Sequence, residues 1–177
     1  AKKKINDFPD NNLPIKIDND LDVLSEWLSS FGPFIIKTNH ELDILRSFNL
    51  SDEFQFNDWY FGNGYEYRRI NEISKKQPFI ILPLDFPVKP EITEIYQALE
   101  YNNAELKHWD IAPDNPAILI ENNIPFAITT SGLNSKEFRK NLSRSVERSL
   151  KPYNALAAIT TMPATKMGVE SYLGKIK

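Results

Sequence analysis

Apolar positions in this chain follow two rhythms, and their order along the sequence predicts its elements. Leu21, Leu24, Trp27 and Leu28 fall three and four apart, the spacing of one helix face, and predict a helix over residues 19–30 capped by Asp18. Phe31-Gly32-Pro33 stops it, and Phe34-Ile35-Ile36 then reads as a short buried strand. Asn39 is placed to cap a second helix with Leu42, Ile44, Leu45 and Phe48 on its face. Phe54-Gln55-Phe56 alternates and runs on to Trp59-Tyr60-Phe61, which predicts a second strand and its exit. Residues 64–74 return to helical spacing through Tyr67, Ile70 and Ile73, and 78–82 form a third apolar run. The longest helical pattern spans residues 90–108, with Ile92, Ile95, Tyr96, Leu99 and Leu106. Asp114-Asn115-Pro116 opens another helix that reaches Asn122-Asn123, since proline is tolerated in a first turn. Residues 124–128 give a fourth apolar run. Ser135 is expected to cap a helix to Leu150, Pro152 to start the next, and Pro163 to start a short last one closed by Gly168. Residues 1–18, with three lysines and then scattered proline and asparagine, read as a lead-in segment outside the folded part.

Strand-like runs thus alternate with helices, and all but the second are continuous rather than alternating. Continuous apolar strands are buried on both faces, which implies an α/β architecture: a parallel sheet with covering helices. Four strands make a small open sheet. They also make half of an eight-stranded barrel.

Composition narrows the chemistry. The 177 residues suit one domain, and 41% hydrophobic with 25% charged residues argues against disorder. No apolar run is long enough to cross a bilayer, so no membrane partner is expected. The first residues lack the basic-then-apolar pattern of a secretion signal, and the absence of cysteine is as compatible with a periplasmic or secreted location as with a cytosolic one. Net charge is -3, but residues 134–177 hold nine basic and three acidic side chains. Spread along amphipathic helices, these read as solvated faces rather than as a nucleic-acid surface.

Candidate chemistry is sparse. Asp18, Asp20 and Asp22 alternate as in a calcium loop, but the sixth position is not glycine and the twelfth, Ser29, is not glutamate. Acidic residues at a helix N-terminus explain the run. Gly62-Asn63-Gly64 lacks a third glycine and reads as a turn. His40 and His108 are the only histidines; either could serve as a general base, and both suit surface or capping roles. Ser131 follows the last strand, where parallel sheets carry functional loops, but without the frame of a nucleophile elbow. Residues 53–67 hold seven aromatic side chains, a density that suits a small-molecule site or a packed interface.

The most specific text is C-terminal. Residues 154–164 (NALAAITTMPA), then Met167-Gly168-Val169, then Leu173-Gly174-Lys175-Ile176, resemble the amidohydrolase superfamily, in the manner of its imidazolonepropionase-like branch. Residues 123–132 are similar to the last barrel strand of those enzymes, and residues 108–119 to the helix before it. The resemblance implies the second half of a (β/α)8 TIM barrel, with residues 19–177 as part of a longer protein. The remainder of that polypeptide, the other barrel half and a flanking β-sandwich, would be the partner.

It also implies one or two divalent metals such as zinc in the parent, held by histidines ending the fifth and sixth strands and an aspartate ending the eighth. The positions expected to match read Ile36-Lys37-Thr38, Phe56-Asn57-Asp58 and Thr129-Thr130-Ser131-Gly132, without those ligands. His40, four residues past Ile36, is a displaced alternative. One expectation is therefore a segment that has lost its metal site, with no cofactor of its own and a structural or binding role beside a hydrolase domain. The other is a wall of a working metal-dependent hydrolase acting on C–N bonds in non-peptide or small peptide-like substrates. In that case Asp58, His108 and Ser131 are the candidate catalytic residues, and Lys37, Thr38, Asn57 and Ser131 face a small-molecule substrate.

Overall fold

The computed structural model describes residues 19–29, 33–55, 57–91, 96 and 101–175. In chain order these form α1 (Asn19–Ser29), β1 (Phe34–Lys37), α2 (Glu41–Phe54), β2 (Asp58–Phe61), a 3-10 turn (Glu66–Arg69) leading into α3 (Ile70–Ile73), β3 (Phe79–Pro83), α4 (Asn103–Ile111), a 3-10 turn (Ala112–Asp114) leading into α5 (Asn115–Glu121), β4 (Phe126–Thr129), α6 (Ser135–Arg148), α7 (Pro152–Ile159) and α8 (Thr161–Lys166). The strands form one sheet in the order β1-β2-β3-β4, and each pair is parallel. This is the α/β fold of parallel strands with covering helices that the sequence implies.

Register divides the sheet into two unlike faces. Ile36, Tyr60, Ile80 and Phe126 align across the four strands, with Leu82 beside Ile128 one step on. This face is covered: it packs with Ile44 and Phe48 of α2, Ile73 of α3, Leu119 of α5, Ala158 of α7 and Ile124, which lies just before β4, into the main core. Phe48 meets Tyr60 edge-on at 5.3 Å. Alternate residues point the other way. Ile35, Trp59 and Phe79 align there, as do Lys37, Phe61, Ile81 and Ala127. Trp59 and Phe79 pack against each other at 5.1 Å, but Ile35 is 58% exposed.

Local capping accounts for several element boundaries that the pattern misplaced. Phe54 and Gln55 do not begin the strand that their alternation suggests, and Phe56 lies outside the described residues. α2 runs through Phe54, and Gln55 ends it in the left-handed region (φ 50°), its N–H donating to the Ser51 carbonyl at 2.7 Å. The second strand therefore starts at Asp58. Its C-terminal end is Phe61-Gly62-Asn63, and Asn57 and Asp58 lie at its N-terminal end, where Phe34 N–H donates to the Asn57 carbonyl.

His40, rather than Asn39, caps α2. Its Nδ1 accepts from Leu42 N–H at 3.3 Å, while Asp43 Oδ2 accepts from the N–H groups of His40 and Asn39. Of the helix expected over residues 90–108, the described part is α4, which starts at Asn103. Asn102 and Glu105 form a capping box there, and Pro90 and Glu91 are not helical; residues 92–95 and 97–100 lie outside the described residues. Asn134, rather than Ser135, caps α6, because Glu137 three residues on completes its box. The lead-in over 1–18 and the Asp18 cap also lie outside the described residues.

Two basic residues of α6, Arg144 and Arg148, are used within the fold. Arg148 binds both carboxylate oxygens of Asp114 and reaches Asp110 at 3.0 Å, and Ser149 Oγ donates to Asp114 at 2.7 Å. Arg144 lies over the Trp109 ring at 5.5 Å. Together they hold the C-terminal helices onto the junction of α4 and α5.

Phe126 is wholly buried in the covered face, whereas Val88 is 88% exposed. Phe126→Ala is expected to lower stability by about 3–5 kcal/mol. Val88→Ala should change it by less than about 0.5 kcal/mol. Urea unfolding of the two variants checks both.

Candidate functional site

In a parallel α/β sheet, ligand chemistry gathers at the C-terminal ends of the strands. That edge here is formed by Lys37 at the end of β1 and Thr38 after it, Gly62 and Asn63 after β2, Leu84 and Asp85 after β3, and Thr130 and Ser131 after β4. Lys37 is exposed, whereas Thr38 is buried and its hydroxyl donates to the Phe61 carbonyl at 2.9 Å. Asn63 Nδ2 reaches Thr38 Oγ1 at 3.4 Å, so the ends of β1 and β2 are tied side by side.

The centre of the edge is Glu66, which is only 2% exposed. One carboxylate oxygen accepts from Asn63 N–H at 2.7 Å and Gly64 N–H at 3.3 Å. The other accepts from Asn115 Nδ2 at 2.7 Å, and Asn115 Oδ1 in turn accepts from Tyr67 N–H at 3.0 Å. A buried carboxylate is tolerated because three N–H donors answer its charge. The loop is shaped to fit: a Cβ at Gly62 would stand 2.5 Å from Glu66 Oε1, and Gly64 takes a φ of +84°.

His108, 7% exposed, sits beside this loop. It stacks on Tyr65 at 3.7 Å and faces Tyr67 at 5.9 Å, with Nδ1 in hydrogen-bond contact with the Tyr67 hydroxyl at 3.2 Å. Arg68 closes the stack from above, 4.4 Å from the Tyr65 ring centre, and bonds Glu41 at 3.4 Å. Burial first, and then the Arg68 charge, push the His108 pKa down to about 4, so the ring is neutral at pH 7.

The structure separates the candidates that the sequence singles out. Lys37, Thr38 and Ser131 stand on the C-terminal edge, with His108 beside it. Ser131 is exposed, and its N–H donates to Thr129 Oγ1 at 3.2 Å. Asn57 and Asp58 stand at the opposite end of β2, which corrects their placement at a strand's C-terminal end. The Asp58 carboxylate accepts from Ser51 Oγ and from the Tyr60 hydroxyl, fastening α2 to β2. Burial and then Asp58 raise the Tyr60 pKa well above its ordinary value, so this hydroxyl keeps its proton. The aromatic stretch is divided too: Tyr65 and Tyr67 flank His108, Tyr60 enters the core, and Trp59 and Phe61 lie on the other sheet face. Glu66, Asn63 and Asn115 are central but were not anticipated. The nearest signal was Gly62-Asn63-Gly64, which does form a turn.

Among the described residues, the side chains at these strand ends do not make up the donor set of the divalent metal that the resemblance implies. His40 is engaged in capping, with Nε2 3.2 Å from Glu41, and His108 is held in its aromatic stack. Among the described residues, no group of three or more His, Cys, Asp or Glu side chains stands close enough to hold a metal ion.

No protein-family model matches the chain, and no curated protein matches it. Among solved structures, an amidohydrolase from Thermotoga maritima MSB8 is similar, with a TM-score of 0.67 at 20% sequence identity. The match covers 99% of this chain and 43% of that one, so the chain spans less than half of that structure's length. The likeness shows an amidohydrolase-like fold.

Two outcomes follow from this geometry. A histidine whose pKa is lowered on folding takes up its proton more readily in the unfolded chain. His108 should therefore cost stability as pH falls from about 6.5 to about 4, by up to about 3 kcal/mol. Unfolding in urea at several pH values should show this slope reduced in His108→Phe, which keeps a ring against Tyr65. Glu66→Ala leaves three buried donors unanswered and should cost at least about 3 kcal/mol. Glu66→Gln should also destabilise, because its amide turns N–H groups toward donors. The same urea titration measures both.

Proposed function

We propose that this chain is one wall of an amidohydrolase-like (β/α)8 barrel, akin to the imidazolonepropionase-like branch, that has no metal site of its own. Its role is structural or ligand-binding, beside a hydrolase domain of the same polypeptide. The other barrel half and a flanking β-sandwich are its partners on this reading. One observation carries it. The strand ends that would present two histidines and an aspartate instead present Lys37-Thr38, Gly62-Asn63 and Ser131, and the buried carboxylate nearest them, Glu66, has both oxygens committed to protein N–H groups. A serine hydroxyl at position 131 cannot act as a carboxylate base at neutral pH.

The alternative, a wall of a working hydrolase of C–N bonds, keeps Lys37, Thr38, His108 and Ser131 near one edge. It loses Asn57 and Asp58, which support the far end of β2. Metal analysis separates the two. Zinc and other divalent ions are counted per polypeptide in the natural protein and in a variant carrying His40→Ala, Asp85→Ala and Ser131→Ala. Equal metal content in both is the expected result. Loss of a stoichiometric ion in the variant would overturn the proposal.

A further inference from the structure

A cavity of about 390 Å³ is lined by Pro87, Val88 and Pro90 of the connection between β3 and α4, and by Tyr101, Glu105 and Trp109. That volume suits a small-molecule site. Glu105 and Trp109 stand four residues apart on α4 and so share a face, and Tyr101 immediately precedes the Asn102 cap of that helix. Glu105 Oε2 accepts from Asn102 N–H at 3.1 Å, and among the described residues nothing pairs with its other oxygen. Trp109 Nε1 is buried without a partner, so the indole offers the cavity its ring and not its N–H. Pro87 and Pro90 have no N–H to offer. The lining therefore combines two aromatic rings with a carboxylate as its one charged group. The Trp109 ring already takes one cation: Arg144, which does not line the cavity, lies over it at 5.5 Å and donates to the Trp109 carbonyl at 3.4 Å.

We propose that this cavity binds a small alkylammonium ligand. Its cationic head lies against the Tyr101 and Trp109 rings and the Glu105 carboxylate, and its aliphatic part lies along Pro87, Val88 and Pro90. Aromatic rings attract cations through the negative potential of their faces, and substituted ammonium groups suit such faces well because their charge is weakly hydrated. The other ligand classes fit less well. An anion would face Glu105 and meet no cation among the lining residues. A neutral apolar molecule would cover the carboxylate without answering its charge. The site goes beyond the barrel-wall reading. None of its six residues is among the strand-end groups that carry that reading, so either can stand without the other.

Fluorine NMR of the full natural polypeptide, labelled with fluorotryptophan, provides the test. The Trp109 resonance is identified by its loss in Trp109→Phe. Choline is the probe, titrated against equal concentrations of sodium chloride. Its control is the neutral carbon isostere, in which a tert-butyl group replaces the trimethylammonium. Choline should shift the Trp109 resonance saturably, and the isostere should bind at least about tenfold more weakly. Glu105→Gln keeps an oxygen for the Asn102 N–H and hence the helix cap, and should weaken choline binding about threefold or more. Tyr101→Leu tests the aromatic wall separately, with a loss of about threefold expected. A Trp109 resonance that choline does not shift would overturn the proposal. So would equal affinity for the isostere, or a choline affinity that neither variant changes. These readouts are independent of metal content, so failure here is distinguishable from failure of the metal-free reading.

Discussion

Three N–H groups converge on the carboxylate of Glu66, and much of the functional edge takes its shape from satisfying that one buried charge. The side chain lies almost wholly out of water, so each oxygen needs a donor. Two come from the backbone of Asn63 and Gly64, which curls the β2 exit around the carboxylate and leaves no room for a side chain at Gly62. The third comes from Asn115, which brings the start of α5 to the same place and uses its own carbonyl oxygen to hold Tyr67 N–H. With the backbone fixed at residues 63–67, Tyr65 and Tyr67 can receive His108, and Arg68 caps the stack. The positions of α4 and α5 over the strand ends therefore rest on a polar cluster.

Much of the fold was legible in the sequence, for a simple reason. Runs such as Phe79-Ile80-Ile81-Leu82 are apolar at every position, short, and bounded by proline, which suits a strand buried on both faces within a layered sheet. The second strand was misread because Phe54 and Phe56 imitate alternation. What ends α2 is the left-handed turn at Gln55, and apolar spacing carries no trace of it. The error moved Asn57 and Asp58 to the wrong end of the sheet. Asp58 then proves to be held by Ser51 and Tyr60, one from α2 and one from its own strand.

The site was less legible than the fold, because its key contacts are long-range. Glu66 and Asn115 are 49 residues apart, and His108 lies 41 residues from Tyr67. No local spacing announces either pair. The two histidines could be counted from the sequence, but not what occupies them. His40 spends its Nδ1 on a helix N-terminus, a task usually given to serine, threonine, aspartate or asparagine. His108 is held neutral between tyrosines by burial and by the nearby Arg68 charge.

These commitments bear on how such an edge can be held in place. A metal ion at the strand ends would cross-link them through its ligands, and the ligands would be ordered by the ion. Here Thr38 is bound to the Phe61 carbonyl, Asn63 to Thr38, and Glu66 to both the β2 exit and Asn115. Each link is a hydrogen bond between groups supplied by the chain itself. These hydrogen bonds tie the edge together from β1 to α5. The end of β4 differs: Ser131 is exposed, and Gly132 lies beside the exposed carboxylate of Asp85. Order is concentrated where Glu66 sits. The freest polar groups of the edge, Lys37 at one end of the sheet and Asp85 with Ser131 toward the other, are those still able to meet an incoming surface or ligand.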